Sequence, residues 1–519
     1  MTKTLVGGGL AAAFVVLLTL GPLAVVALWA EAGAGLGAGD WAAIRFTLWQ
    51  AVLSAVISVA LAIPVARALA RRSFPGRGVL VLLLGAPFIV PVIVAVLGLL
   101  AVFGRTGLVS QGLGALGLDP LSIYGLHGVV LAHVFFNLPL ATRLILQGWL
   151  AIPAERFRLA ATLGMGPWDV FRQLEWPMLR AVVPGVAMLI FLICTTSFAV
   201  ALTLGGGPRA TTIELAIYQA FLFEFDLGKA AVLATIQFAV TGAAAALAAW
   251  VAVPAAMGAG LDRPLQRWDA ARGPARVLDA GWIGLAALFL LVPLSMIVIR
   301  GVPQLAGLPV QVFEAAGRSV VVAVASAVLV LCLALPLASA AQALRGTRAV
   351  AAGVMESVGY LSIAASPLVI GTGLFIVLFP LADPAALALP VTIAVNAAMS
   401  LPFALRAILP ELAVVEAQYG RTADALGMTG WARLRWLVLP RLRRPLGFSA
   451  GLAAALSMGD LGVIALFADS ENATLPLQLY RLMAAYRTED AAGAALLLLA
   501  LSLVLFWAID RGGRMHAAV

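Results

Sequence analysis

Few residues of this chain can do chemistry, and most of those stand alone. Asp460 lies in the run LSMGDLGVIALF. An ionised carboxylate in so apolar a setting is costly and marks a functional candidate; it can attract a passing cation. Its counterpart in the internal repeat described below is Phe198, whose ring offers a cation a stacking face. His127 and His133 are six residues apart, so they do not share a helix face as the i, i+4 pair of a metal site does. Cys194 and Cys332 fall in separate apolar runs and read as small core residues, with no disulfide or metal role expected. The lysines are Lys3 in TKT and Lys229 in LGKA, and no G-x-x-x-x-G-K-[ST] motif occurs. Without a phosphate-cradling loop or a nucleophile–base pair, no enzymatic centre and no cofactor are expected.

The elements that position these residues are set by composition. Of 519 residues 63% are hydrophobic and 11% charged, against roughly a quarter charged in soluble domains. Apolar runs of about 20 residues recur, long enough to cross a hydrocarbon core as helices. They are continuous rather than alternating, so an all-α polytopic membrane protein is expected. Twelve spans are predicted near 5–30, 47–69, 79–103, 128–150, 181–204, 230–254, 277–299, 318–341, 352–379, 386–409, 446–468 and 490–510. The first run exceeds the apolar stretch of a signal peptide and reads as a retained helix. The net charge of +9 does not point to nucleic acid, because the basic residues sit in short loops. With the N-terminus in the cytoplasm, 25 of the 33 basic residues fall on that side, as twelve spans with both termini inside require.

The chain repeats itself. Leu138–Arg180 aligned with Leu401–Arg443 gives 18 identities in 43 ungapped positions. They include Pro139/Pro402, Arg143/Arg406, Gly164/Gly427, Met165/Met428, Trp168/Trp431 and Pro177/Pro440. Tyr218 matches Tyr480, and Pro64 corresponds to Pro336. Two six-span halves are expected, 1–255 and 277–519, joined by a linker at 256–276. Because six is even, the halves share one orientation about a pseudo-two-fold axis along the membrane normal.

The best-matched blocks are loops, 152–180 and 415–444. Each reads as two short helices joined at a glycine. Gly164 suits a left-handed cap, Pro167 a first helical turn, and Thr429 an N-cap. Trp168, Phe171 and Leu174, and Trp431, Leu434 and Leu437, give each second helix one apolar stripe. Pro177 and Pro440 end the segments. Such stripes on arginine-rich helices suit either lipid headgroups or two equivalent docking sites on a two-fold partner.

Gly164 with Pro177, and Gly427 with Pro440, have the spacing of the EAA loop, E-A-A-x-x-x-G with a proline thirteen residues after the glycine. In this the chain resembles the inner-membrane permeases of ATP-binding-cassette importers. The strings at 74–78, 124–147, 204–220 and 457–467 are similar to the branch whose two halves are fused and which carries thiamine. The resemblance implies a type I importer fold. It implies coupling helices built on Arg158, Ala160, Ala161, Gly164, Trp168 and Pro177, and on Arg421, Ala423, Gly427, Trp431 and Pro440. Arg158 and Arg421 replace the family's glutamate, which leaves the salt bridges at the docking groove open. Implied partners are two copies of an ATPase subunit, a periplasmic substrate-binding protein and the lipid bilayer. The function implied is uptake of thiamine or its phosphate esters by alternating access. Ferric iron, a polyamine or another small cation are alternative substrates; an ion-coupled secondary transporter is the alternative class, which needs more ionisable groups in mid-span. Pro91 and Pro367, opening comparable stretches of the third and ninth spans, join Phe198 and Asp460 as candidate path residues. Glu356 reads as an interfacial charge. The segments Gly205–Gly228 and Ala468–Asp490 are expected to receive the binding protein.

Overall fold

A computed structural model describes residues 2–31, 35–85, 89–207, 210–251, 273–469 and 471–514. Among the described residues there is no β-strand; in lipid only helices satisfy the backbone of such runs without closing a barrel. The helices run α1 (Thr2–Glu31), α2 (Ala38–Arg71), α3 (Arg77–Leu83), α4 (Val92–Phe103), α5 (Leu108–Ala115), α6 (Leu126–Leu150), α7 (Ala154–Thr162), α8 (Pro167–Val170), α9 (Trp176–Thr195), α10 (Phe198–Leu204), α11 (Ile213–Leu222) and α12 (Leu227–Val251). They continue as α13 (Gly273–Gly301), α14 (Val310–Arg345), α15 (Ala349–Gly359), α16 (Pro367–Leu378), α17 (Pro384–Ala425), α18 (Gly430–Arg433), α19 (Leu439–Arg441), α20 (Arg443–Met458), α21 (Gly462–Phe467), α22 (Leu475–Ala484) and α23 (Thr488–Arg514). The expected linker 256–276 lies outside the described residues up to Arg272.

Eleven helical stretches among the described residues are long and apolar enough to cross a membrane. The difference from twelve is the ninth expected span. It is divided into α15, a short 3-10 turn at Leu361–Ala364, and α16. Pro367 fixes the start of α16: it lacks an N–H and disfavours helical geometry in the residue before it. The Ser366 hydroxyl accepts from the Val369 N–H at 3.2 Å, closing that end. The third span breaks comparably, with Pro91 as the N-cap of α4. The fifth and eleventh spans also break, α9 to α10 at Thr196–Ser197 and α20 to α21 at Gly459–Leu461. The carbonyls at the end of α9 are satisfied by side chains: Gln50 donates to Cys194 O at 2.9 Å and Gln237 to Thr195 O at 2.8 Å. Cys194 is buried as expected, whereas Cys332 is exposed on the surface of α14, because its position falls on the face turned away from the bundle.

The first helix of each half of the sequence packs on the other half. α1 lies against α14 and α16, and α13 lies against α2 and α4. The two crossings are reciprocal in detail. A Cβ on Gly98 of α4 would stand 2.6 Å from Pro293 O of α13, and one on Gly373 of α16 would stand 2.4 Å from Pro22 O of α1. Helices in lipid gain little hydrophobic energy from meeting, so close van der Waals approach at small residues holds them. Buried polar contacts repeat as well. Ser54 pairs with His133 at 3.2 Å and Asn137 donates to Cys194 Sγ at 3.3 Å. At the matching positions Asn396 donates to Ser457 at 2.9 Å and Ser457 to Ser326 at 3.3 Å. Each set ties three helices where an unpaired polar group would be costly. Gly373→Ala forces α16 off the Pro22 carbonyl. It is expected to lower stability by about 1–3 kcal/mol, measured by SDS or urea unfolding of the detergent-solubilised protein.

Candidate coupling loops and translocation path

Each loop is built by the same local rules. In the first, Gly164 adopts φ +64°, the Gly164 N–H reaches Ala161 O at 3.1 Å and the Met165 N–H reaches Ala160 O at 3.0 Å. In the second, Gly427 also has φ +64°, its N–H reaches Asp424 O at 3.0 Å, and the Met428 N–H reaches Ala423 O at 2.9 Å. This left-handed cap turns the chain into α8 or α18, and a glycine takes it without strain. Ala160 and Ala423 are buried beneath the turn, while Arg158, Ala161, Arg421, Leu163 and Leu426 are exposed. Trp168 and Trp431 stand out at 69% and 68% exposure. The stripes then bury progressively: Trp168 stacks on Phe171 at 5.5 Å, and Phe171 and Leu174 pack inward, as do Leu434 and Leu437.

Past these helices both chains widen into one π turn, Phe171–Glu175 and Leu434–Val438, closed by i to i+5 bonds from Trp176 N to Phe171 O and from Leu439 N to Leu434 O. Pro177 and Pro440 explain it. Each ring crowds the carbonyl four residues back and offers no N–H to it, and a widened turn relieves the conflict. The expected N-capping by Thr429 is corrected: Thr429 holds the cap position but its side chain makes no cap bond, since Gly430 follows with φ +52°. In the first loop the Asp169 carboxylate accepts from the Gly166 N–H at 3.0 Å instead.

The loops differ in how they are held. The first is jointed at Pro153, between α6 and α7, whereas the tenth span and the first loop helix of the second are one 42-residue helix, α17. Glu416, a good helix former, stands where Pro153 stands in the first. Glu175, fully buried at the π turn, pairs with Arg67 of α2 at 2.8 Å, and Arg67 also lies over the Phe171 ring. Four residues on, Arg71 and Arg72 grip Asp279 of α13 at 2.5 and 2.7 Å. In the second loop Arg433 bridges Glu416 and Asp424 within the loop itself. The Glu416 hydrogen bond, ahead of Asp424, holds the Arg433 guanidinium above its ordinary pKa. Glu356 pairs with Arg345 at 2.7 Å.

The breaks bring the path candidates together in part. Asp460 lies in the turn between α20 and α21, its Oδ1 accepting from the Gly462 N–H at 3.2 Å. A Cβ on Gly459 would stand 3.2 Å from Pro91 Cα, and one on Gly462 would stand 3.6 Å from Pro367 Cβ. Asp460 therefore sits between the two prolines. Phe198 is not its counterpart. The ends of α9 and α20 (Thr195, Met458), and of α10 and α21 (Leu204, Phe467), keep one offset of 263, which sets Asp460 opposite Ser197 and Phe198 opposite Leu461. Phe198 packs on Tyr218 of α11 at 5.2 Å. At that end of the bundle α11 and α22 are seated alike: the Ile213 N–H donates to the Thr47 hydroxyl at 2.9 Å and the Leu475 N–H to the Ser319 hydroxyl at 2.8 Å.

No protein-family profile matches the chain. The thiamine transport system permease protein ThiP of Brucella abortus (strain 2308) is 40% identical over 517 residues, 98% of this chain and 95% of that protein. The protein of the same name from Escherichia coli (strain K12) is 42% identical over 482 residues, 91% of this chain and 89% of its own. The chain belongs to the thiamine transport system permease family. A shorter likeness, 32% over 178 residues, links this permease to the molybdenum transport system permease protein ModB of Azotobacter vinelandii.

Two features of the permease escape its sequence. The Arg67–Glu175 pair joins positions 108 apart in the chain, with only a lone acid in FRQLEWP to hint at it. Glu214, buried in α11, hides in TTIELAIYQA, where its charge reads as part of an amphipathic stretch. Arg67→Met leaves Glu175 buried without its cation and is expected to destabilise the permease by about 3 kcal/mol. Arg67→Met combined with Glu175→Leu is expected to cost less than either change alone, read from SDS unfolding midpoints.

Proposed function

We propose that this permease is the membrane subunit of an ATP-driven importer of thiamine or its phosphate esters, in a bacterial inner membrane. The observation that carries the reading is the pair of loops with one backbone design, each presenting an exposed tryptophan beside a left-handed glycine at the same end of the bundle. Two copies of an ATPase subunit dock there, one on Arg158–Pro177 and one on Arg421–Pro440. Leu163 and Trp168, or Leu426 and Trp431, supply the apolar contact, and Arg158 and Arg421 face acidic groups on the ATPase. The loop end is cytoplasmic, with both termini on that side, in keeping with the excess of arginine there. The chain works as two six-helix halves, 1–255 and 277–519. A periplasmic binding protein delivers substrate at the opposite end, near α11 and α22. Nucleotide-driven closure of the ATPase pair rocks the halves and opens the path, past Pro91, Pro367 and Asp460, to one side at a time.

The test is uptake by the permease reconstituted with its ATPase and binding protein. Thiamine accumulates only with ATP and is indifferent to ionophores; uptake driven by an ion gradient without ATP would overturn the reading. Replacing both Gly164 and Gly427 by valine strains two left-handed positions. The variant is expected to insert normally yet lose thiamine uptake by about tenfold or more while ATP hydrolysis persists, measured as transport per ATP hydrolysed.

A further inference from the structure

Glu214 lies in the first turn of α11 and is 1% exposed. Its Oε1 has no hydrogen-bond partner, and its carboxyl group lies against the side chain of Ser366 at the break of the ninth span. Asp460 comes to the same break from α20. Its Oδ1 accepts from the Gly462 N–H at 3.2 Å and its carboxyl group lies near the Asn396 side chain, while Oδ2 is buried with no hydrogen-bond partner. A Cβ on Gly462 would stand 3.6 Å from Pro367 Cβ and 3.7 Å from Asp460 Oδ1. Two carboxylates, one from each half of the sequence, thus face the Ser366–Pro367 step. Among the described residues no arginine, lysine or histidine forms an ion pair with either. Buried acids normally carry a cationic partner because the unpaired charge is costly. Capping does not account for Glu214, since the Thr212 hydroxyl does that work at α11; Asp460 caps α21 through Oδ1 alone, and its Oδ2 is left over.

Seven residues beyond Glu214 is Phe221, seven beyond Asp460 is Phe467, and nine beyond Ser366 is Phe375. These three rings meet, Phe221 on Phe375 at 4.3 Å and Phe375 on Phe467 at 5.3 Å. α11, α16 and α21 therefore run side by side in one direction, with two acids at one level and an aromatic cluster about 10 Å along. Paired negative charge with a nearby aromatic ceiling suits a flat organic cation better than a hydrated metal ion, which wants several oxygens around it.

We propose that Glu214 and Asp460, facing the Ser366–Pro367 break two turns from the Phe221–Phe375–Phe467 cluster, form a station within the membrane for the positively charged thiazolium ring of the substrate. This rests on the reading of the permease as a thiamine importer. The probes are thiamine and a neutral isostere in which the thiazolium nitrogen is replaced by carbon, taken up by the reconstituted complex at saturating binding protein. Glu214→Gln and Asp460→Asn are each expected to lower the ratio of thiamine to isostere uptake about tenfold, with Glu214→Asp and Asp460→Glu retaining most of it. A ratio within about twofold of wild type in both neutral variants, whether total uptake holds or falls, would assign the acids to structure and overturn the station. A second readout uses the wild-type complex: thiamine should slow carbodiimide labelling of Glu214, followed by mass spectrometry, and the isostere should not. Equal labelling with and without thiamine also overturns it. A wild-type complex that takes up no thiamine at all overturns the importer reading instead, so the two failures are separate.

Discussion

The structure follows from one constraint: a peptide group in hydrocarbon must find its hydrogen bond within its own helix or beside a specific side chain. Long uninterrupted helices meet that constraint by themselves, and they form most of the bundle. The interest lies where helices stop inside it. At the end of α9 and at the starts of α16 and α21, the freed groups are taken up by Gln50, Gln237, Ser366 and Asp460. These stops gather near the middle of the bundle. Polar side chains have a reason to be there, and acids can be retained where lipid alone would exclude them.

Much of this was legible in the residues. Hydropathy marked the spans because each run is long and uniform, and the matched Gly164 and Gly427 foretold left-handed caps because few other residues take that geometry cheaply. The prolines at 91 and 367 marked interruptions, yet the ninth span still read as one helix, since its apolar count is unaffected by a break. The continuity of α17 through its loop was hidden by symmetry. Reading the second loop by analogy with the first imported the joint that only Pro153 creates. Asp460 stood out as a charge in an apolar run, but its pairing with Phe198 failed because the offset of 263 that aligns the loops holds through the ends of α20 and α21 and sets Asp460 against Ser197. Glu214 and the Arg67–Glu175 pair depend on contacts between distant segments, which local pattern does not carry.

The reciprocal crossings of α1 and α13 bind the two halves of the sequence into one body. Gly98 against Pro293 and Gly373 against Pro22 are backbone contacts with no room for another carbon. Motion between halves must therefore carry the first helix of each along with the opposite half. The ion pairs of Arg71 and Arg72 with Asp279 extend this linkage to the loop end, so that α2 touches both the first loop, through Glu175, and α13.

The length of α17 has its own consequence. At 42 residues it measures about 63 Å, roughly twice the hydrocarbon thickness, and it reaches the turn at Gly427 as one helix that carries Pro390, Pro402 and Pro410 within it. A displacement of the turn at Gly427 would therefore travel to Asn396 along one helix, bending only at its prolines. On the other side a displacement at Gly164 would meet the joint at Pro153, with Glu175 and Arg67 tying that loop to α2. The two loop ends are thus seated with different stiffness, and equal loads on them would not be shared equally.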